Sequence, residues 1–127
     1  AAAGQGRGFD PFRLRAGVVA AYPVLLTQGA EQDVEEIFDF IANADSAARA
    51  QQVLDGLMAV IEGLAHFPER GSYPQELLAL GIKEYRQTMF KPWRVIYAVQ
   101  DDQVIVYLVA DGRRDMAALL ARRLLAG

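Results

Sequence analysis

The chain has no cysteine and a single histidine, His66, in 127 residues. Without cysteine there is no disulfide framework and no thiolate metal site, and one imidazole leaves no histidine cluster for zinc. Neither a metal nor a cofactor is expected, and the composition fits a reducing, cytoplasmic setting. Long apolar runs are also missing: "AGVVAAYPVLL" falls short of the roughly 20 residues that span a bilayer and is broken by Pro23, so no membrane segment is expected. Nucleophile-elbow, metal and phosphate-loop motifs are absent, and "GQGRG" follows no strand.

What remains is the material of an ordinary folded domain, with 53% hydrophobic and 23% charged residues. The length suits one hydrophobic core. Residues 1–20, "AAAGQGRGFDPFRLRAGVVA", lack an initiator Met and read as a flexible, processed or engineered extension, leaving residues 21–127 as the domain. Net charge is −3, unevenly spread: residues 1–82 carry 5 basic and 11 acidic groups, residues 83–127 carry 8 and 5. A generic nucleic-acid binder is basic overall, whereas this chain offers at most a local basic face.

Periodicity places the elements. "YPVLLT" reads as a short strand with Pro23 at its start, where a missing donor is tolerated. From Ala30 the pattern turns helical, with Val34, Ile37, Phe38 and Ile41 on one stripe and the acids of the first turns on a solvated face. "NADS" interrupts, and Asp45 or Ser46 caps a second helix whose stripe runs from Ala50 through Val53, Leu57, Ile61 and Leu64 to a stop at Pro68 and Gly71. Together they make a helical hairpin. A loop through "SYPQELLALGIK" leads to three strand-like runs, "EYRQTMF", "WRVIYAVQ" and "QVIVYLVA". "QDDQ" suits a tight turn between the last two, and the last run, apolar on both faces, belongs in the middle of the sheet. Asp115 then caps a C-terminal helix with Leu119, Leu120 and Leu124 inward and Arg122 and Arg123 at its negative end. The predicted class is α+β, an N-terminal helical hairpin packed on a small antiparallel-type sheet with a C-terminal helix, which leaves the opposite sheet face available.

The residues that invite a functional reading are arginines. If the last two strands form a regular hairpin, Arg94 starts one where Arg113 and Arg114 end its neighbour, and Arg86 and Lys91 widen the positive patch. The competing reading is that Asp111, Asp115 and Glu84 neutralise them as ordinary ion pairs, worth about 0–1 kcal/mol each when exposed. Arginine stabilises phosphate charge but cannot act as a base at neutral pH. His66 sits at a helix end beside Phe67 and Pro68, where a structural role is expected, and the strand tyrosines Tyr97 and Tyr107 are expected to pack rather than catalyse.

In order and spacing, "YPVLLTQGAEQDVEEIFDFIA", "HFPERGSYPQEL" and "YRQTMFKPWRVIYAVQDDQVIVYLVADGRRD" resemble the RelE/ParE superfamily of type II toxin–antitoxin toxins, the plasmid stabilization proteins, over residues 22–125. The resemblance implies a compact toxin neutralised by a cognate antitoxin, ParD-like or RelB-like, that carries an amphipathic helix or an added strand. RelE-like members cut mRNA at the ribosome with lysines and arginines on the sheet and a tyrosine on the last helix; ParE-like members inhibit DNA gyrase. Arg94 in "PWRVIY" and Arg114 after the last strand match the RelE-like set. Where that set has paired lysines the chain keeps only Arg86, and where the tyrosine falls it has Leu120. The expectation is therefore a ParE-like gyrase inhibitor that binds its target through Arg86, Lys91, Arg94, Arg113 and Arg114. The alternative is a ribosome-dependent mRNA endoribonuclease using Arg94, Arg114 and Arg86.

Overall fold

The computed structural model describes residues 21–125; the extension expected at residues 1–20 lies outside them. A three-residue strand β1 (Val24–Leu26) leads into helix α1 (Gln28–Ala44), then α2 (Ala47–Gly63) and a single helical turn α3 (Gln75–Leu78). Strands β2 (Arg86–Phe90), β3 (Trp93–Gln100) and β4 (Gln103–Asp111) follow, then α4 (Met116–Leu120), whose last turn widens into a π-helical turn over Ala121–Leu125.

Local chemistry sets the boundaries. The Thr27 hydroxyl accepts from the Ala30 amide and starts α1 at Gln28, two residues before the expected start at Ala30, and the Ser46 hydroxyl accepts from the Arg49 amide to start α2. Such caps contribute about 1 kcal/mol each. Asp101 and Asp102 both adopt left-handed backbone, with φ of 53° and 60°, as a two-residue hairpin turn requires. The Asp115 carboxylate accepts from the Ala118 amide, the cap expected for the last helix.

The sheet order is β1-β4-β3-β2, so β3 and β4 are central. The expected hairpin is present: Trp93 pairs with Asp111, Arg94 with Ala110 and Gln100 with Gln103. β1 corrects the antiparallel expectation, because it runs parallel to β4. The whole helical hairpin lies between those two strands in sequence, which is the long crossover a parallel pair needs. A bulge leaves Tyr107 without a partner in the ladder, and its ring meets Tyr85 edge-on at 5.4 Å.

Two cores sandwich the sheet. Val34, Leu57, Ile61 and Leu64 of the hairpin pack on Val95, Tyr97, Val106 and Val109. The second is a correction, because the opposite face is not open: Leu77 of α3 and Met116, Leu119 and Leu120 of α4 cover Ile96, Leu108 and Ala110. The α3 turn leaves no signal in the sequence because four residues cannot display a helical period. Tyr97 is fully buried, and its hydroxyl donates to the Pro68 carbonyl (2.8 Å) and accepts from the Gly71 amide (3.0 Å), so it fastens the loop after α2. Burial pushes the Tyr97 phenol pKa up. No helix of the described residues is long and apolar enough to cross a membrane.

Candidate functional site

Alternation along a strand separates the arginines. Arg94 follows Trp93, so it points to the face that carries α3 and α4, whereas Trp93 points toward the helical hairpin. Arg94 is 9% exposed, and its guanidinium makes four hydrogen bonds to two side chains. Nη1 and Nη2 donate to the two oxygens of Glu76 (2.9 and 2.8 Å), Nε donates to Oε1 of Gln87 (2.8 Å), and Nη2 donates to the same Gln87 oxygen. The Arg94 hydrogen bonds pull the Glu76 carboxyl below the usual carboxylate range against the opposing effect of burial. The group expected to lead the basic rim is therefore an internal strut between β3 and α3.

Arg86 is occupied as well. Its Nη1 donates to the Gly71 carbonyl (2.9 Å) and its guanidinium lies over the Tyr73 ring at 4.8 Å, so it braces the loop entering α3. Lys91 is exposed in the β2–β3 turn.

Arg113 and Arg114 end up elsewhere. With Asp111, they line an open groove of about 760 Å³ between α1 and the ends of β3 and β4. Arg94 does not reach this groove; it lines a second hollow of about 510 Å³ beside β2, with Leu78 and Met89. The rim expected from Arg94, Arg113 and Arg114 together is thus divided between the two faces of the sheet. Arg113 donates to Asp111 through Nε (2.9 Å) and Nη2 (2.6 Å), which lowers the Asp111 pKa to about 2. Here the ion-pair reading of the sequence holds. Arg114 makes no side-chain hydrogen bond among the described residues, although its charge also favours ionised Asp111.

The groove also contains residues to which the arginine pattern does not point. Phe40 is 72% exposed on its rim, Ile37, Ile41 and Trp93 supply apolar wall, and Arg49 stands at the start of α2. Phe40 carried a readable signal, being an aromatic residue off the apolar stripe of α1. Asp33 also lines the groove, and it corrects the solvated-face reading of the acids in α1. Its carboxylate is only 11% exposed, accepts from the Val109 amide (3.0 Å) and pairs with Arg123 of the C-terminal turn (2.9 Å). Arg123 also donates to the Tyr107 carbonyl (3.0 Å). The two side chains thereby satisfy the edge of β4 beyond the point where β1 ends.

Chemically, the groove is an amphipathic binding surface. It has an apolar floor and the guanidinium of Arg114, which makes no side-chain hydrogen bond among the described residues, and neither His66 nor any tyrosine is among the described residues that line it. Among the described residues no cluster of His, Cys, Asp or Glu could hold a metal ion.

Comparison with known proteins agrees with this architecture. The chain is 25% identical over 100 residues to Toxin ParE3 of Caulobacter vibrioides, a match covering 79% of this chain and 96% of the relative. In fold it is similar to a chain of the chromosomal ParDE TA system from P. aeruginosa, with a TM-score of 0.62 at 12% identity over 72% of this chain and 96% of that one. It is also similar to a chain of the toxin–antitoxin complex RelBE2 from Mycobacterium tuberculosis, with a TM-score of 0.53 at 17% identity over 73% and 93%. The family model of the ParE toxin of the type II toxin–antitoxin system, parDE, matches residues 24–116, and the chain belongs to that family.

Proposed function

We propose that this toxin acts in the cytoplasm as a non-enzymatic inhibitor of DNA gyrase and is silenced by a cognate antitoxin, ParD-like, that seats an amphipathic helix in the groove between α1 and the β3–β4 ends. The observation that carries the reading is the engagement of Arg94 by Glu76 and Gln87. A ribonuclease of the RelE-like kind needs cations free to hold a phosphodiester and a group to move a proton. Here Arg94 is spent on Glu76 and Gln87, Arg86 is spent on the Gly71 carbonyl and the Tyr73 ring, and Leu120 is buried where a helix tyrosine would stand. Recognition needs no proton transfer. An apolar groove whose rim carries Arg49, Arg113 and Arg114 together with Glu36 and Asp45 suits a helix that buries one face and meets the rim with charges of both signs.

The test is a supercoiling reaction with purified gyrase. The toxin is expected to block supercoiling or to trap cleaved DNA, while mRNA translated in a parallel reaction stays intact. Cleavage of that mRNA with supercoiling unaffected would replace this reading by the ribosome-dependent one.

A further inference from the structure

The turn Ala121–Leu125 contains no buried residue. Leu124 rests partly buried against the α4 core, and Arg123 is the side chain that ties the turn to the rest of the domain by hydrogen bonds, two to Asp33 and one to the Tyr107 carbonyl. We propose that this turn is a latch that opens from α1 while the domain stays folded, and that Asp33 couples its opening to the arrival of a cationic side chain in the groove.

The argument for opening is local. A segment with little buried apolar area and one polar fastening belongs to the low-stability end of a structure, where opening is independent of global unfolding. The π-helical geometry of the turn also departs from the tighter hydrogen-bond pattern of α4.

The argument for coupling rests on Asp33 having two roles. Its Oδ2 accepts from both the Val109 amide and Arg123 Nη1, its Oδ1 accepts from Arg123 Nη2, and the same residue forms part of the groove wall. Asp33 is also the first cause of the raised Arg123 pKa, with Glu36 contributing a smaller effect in the same direction. A lysine or arginine presented from the groove side would share that carboxylate and weaken its hold on Arg123. Coupling to a partner rests on the groove being the antitoxin's seat. The latch does not, and it is tested on the toxin alone.

Backbone NMR relaxation of residues 121–125, together with amide exchange of the central strands, reads the latch directly. In Arg123→Ala the turn is expected to become mobile, with order parameters falling below roughly 0.6, while the Val95 and Val106 amides exchange as in the wild type. Glu36→Arg places a cation one helical turn from Asp33 on the same wall, and it should mobilise the turn where Glu36→Gln does not. A turn that stays ordered in Arg123→Ala, or core amides that exchange faster together with it, would overturn the latch. Equal effects of Glu36→Arg and Glu36→Gln, or no effect of Glu36→Arg, would overturn the coupling. A supercoiling result against gyrase inhibition would leave both readouts standing.

Discussion

Arg94 and Glu76 face each other through two parallel hydrogen bonds of 2.9 and 2.8 Å, one residue from a central strand and the other from a four-residue helical turn. The contact joins elements 18 positions apart in the chain and decides which face of the domain keeps free charge.

Breaking that pair should be costly. Arg94→Ala leaves Glu76 and Gln87 without their donor, and the expected loss is about 3 kcal/mol, the low end for a buried pair because the Glu76 side chain is 28% exposed. Replacing both partners, Arg94→Met with Glu76→Leu, should recover most of it. Urea denaturation midpoints measure both, and a single substitution as stable as the wild type would disprove the strut.

Arg114 should behave in the opposite way. It is exposed and makes no side-chain hydrogen bond among the described residues, so Arg114→Glu is expected to change stability by no more than about 0.5 kcal/mol. The same substitution reverses charge on the groove rim and should abolish growth inhibition in cells lacking the antitoxin. Full toxicity of the variant would remove Arg114 from the target surface.

Acid should act on Asp111 within a narrow window. Arg113 lowers its pKa from 3.8 to about 2 in the folded chain. A depressed carboxylate pKa contributes stability that is fully present above the unfolded value and is lost as pH falls through the folded one. Asp111→Asn should therefore be less stable than the wild type above about pH 4, with the difference closing by about pH 2. Denaturation midpoints across that range test it, and a difference independent of pH would contradict the assignment. The gap should be modest, because the Arg113 side chain is 81% exposed.

Gly71 should accept no side chain. A Cβ there would stand 2.3 Å from the Gln87 carbonyl oxygen and 2.7 Å from the Tyr97 hydroxyl. Gly71→Ala is expected to cost about 1–3 kcal/mol by overpacking, and Tyr97→Phe a similar amount by leaving the Pro68 carbonyl and the Gly71 amide unpaired. The two substitutions disrupt one cluster, so the double variant should lose less than the sum. Thermal unfolding of the three variants gives the comparison, and strict additivity would argue against a shared cluster.

The elements were legible where one residue type has one strong local preference. Val34, Ile37 and Ile41 repeat at the spacing of a helix, Ser46 and Asp115 are natural caps, and two consecutive aspartates accept the left-handed backbone of a hairpin turn. The α3 turn was not legible, and with it went the covered second face, because its helicity is too short to leave a period. The site was legible only in part. Arg113 and Arg114 do line a groove, but Glu76, 18 positions from Arg94, and Arg123, 90 positions from Asp33, carry no local mark of their partners.

By itself the sequence determined the class of fold and the caps and turn that bound α2, α4 and the β3–β4 hairpin, because helix and strand periods, caps and turns depend on neighbours within a few residues. Apart from Arg113, whose partner Asp111 lies two residues away, only the tertiary structure decided which arginines are spent and which remain available. A charge is neutralised by whatever carboxylate the fold brings to hydrogen-bonding distance, and in a sheet with a core on each face that choice follows from side-chain alternation and chain crossing, which no local pattern records.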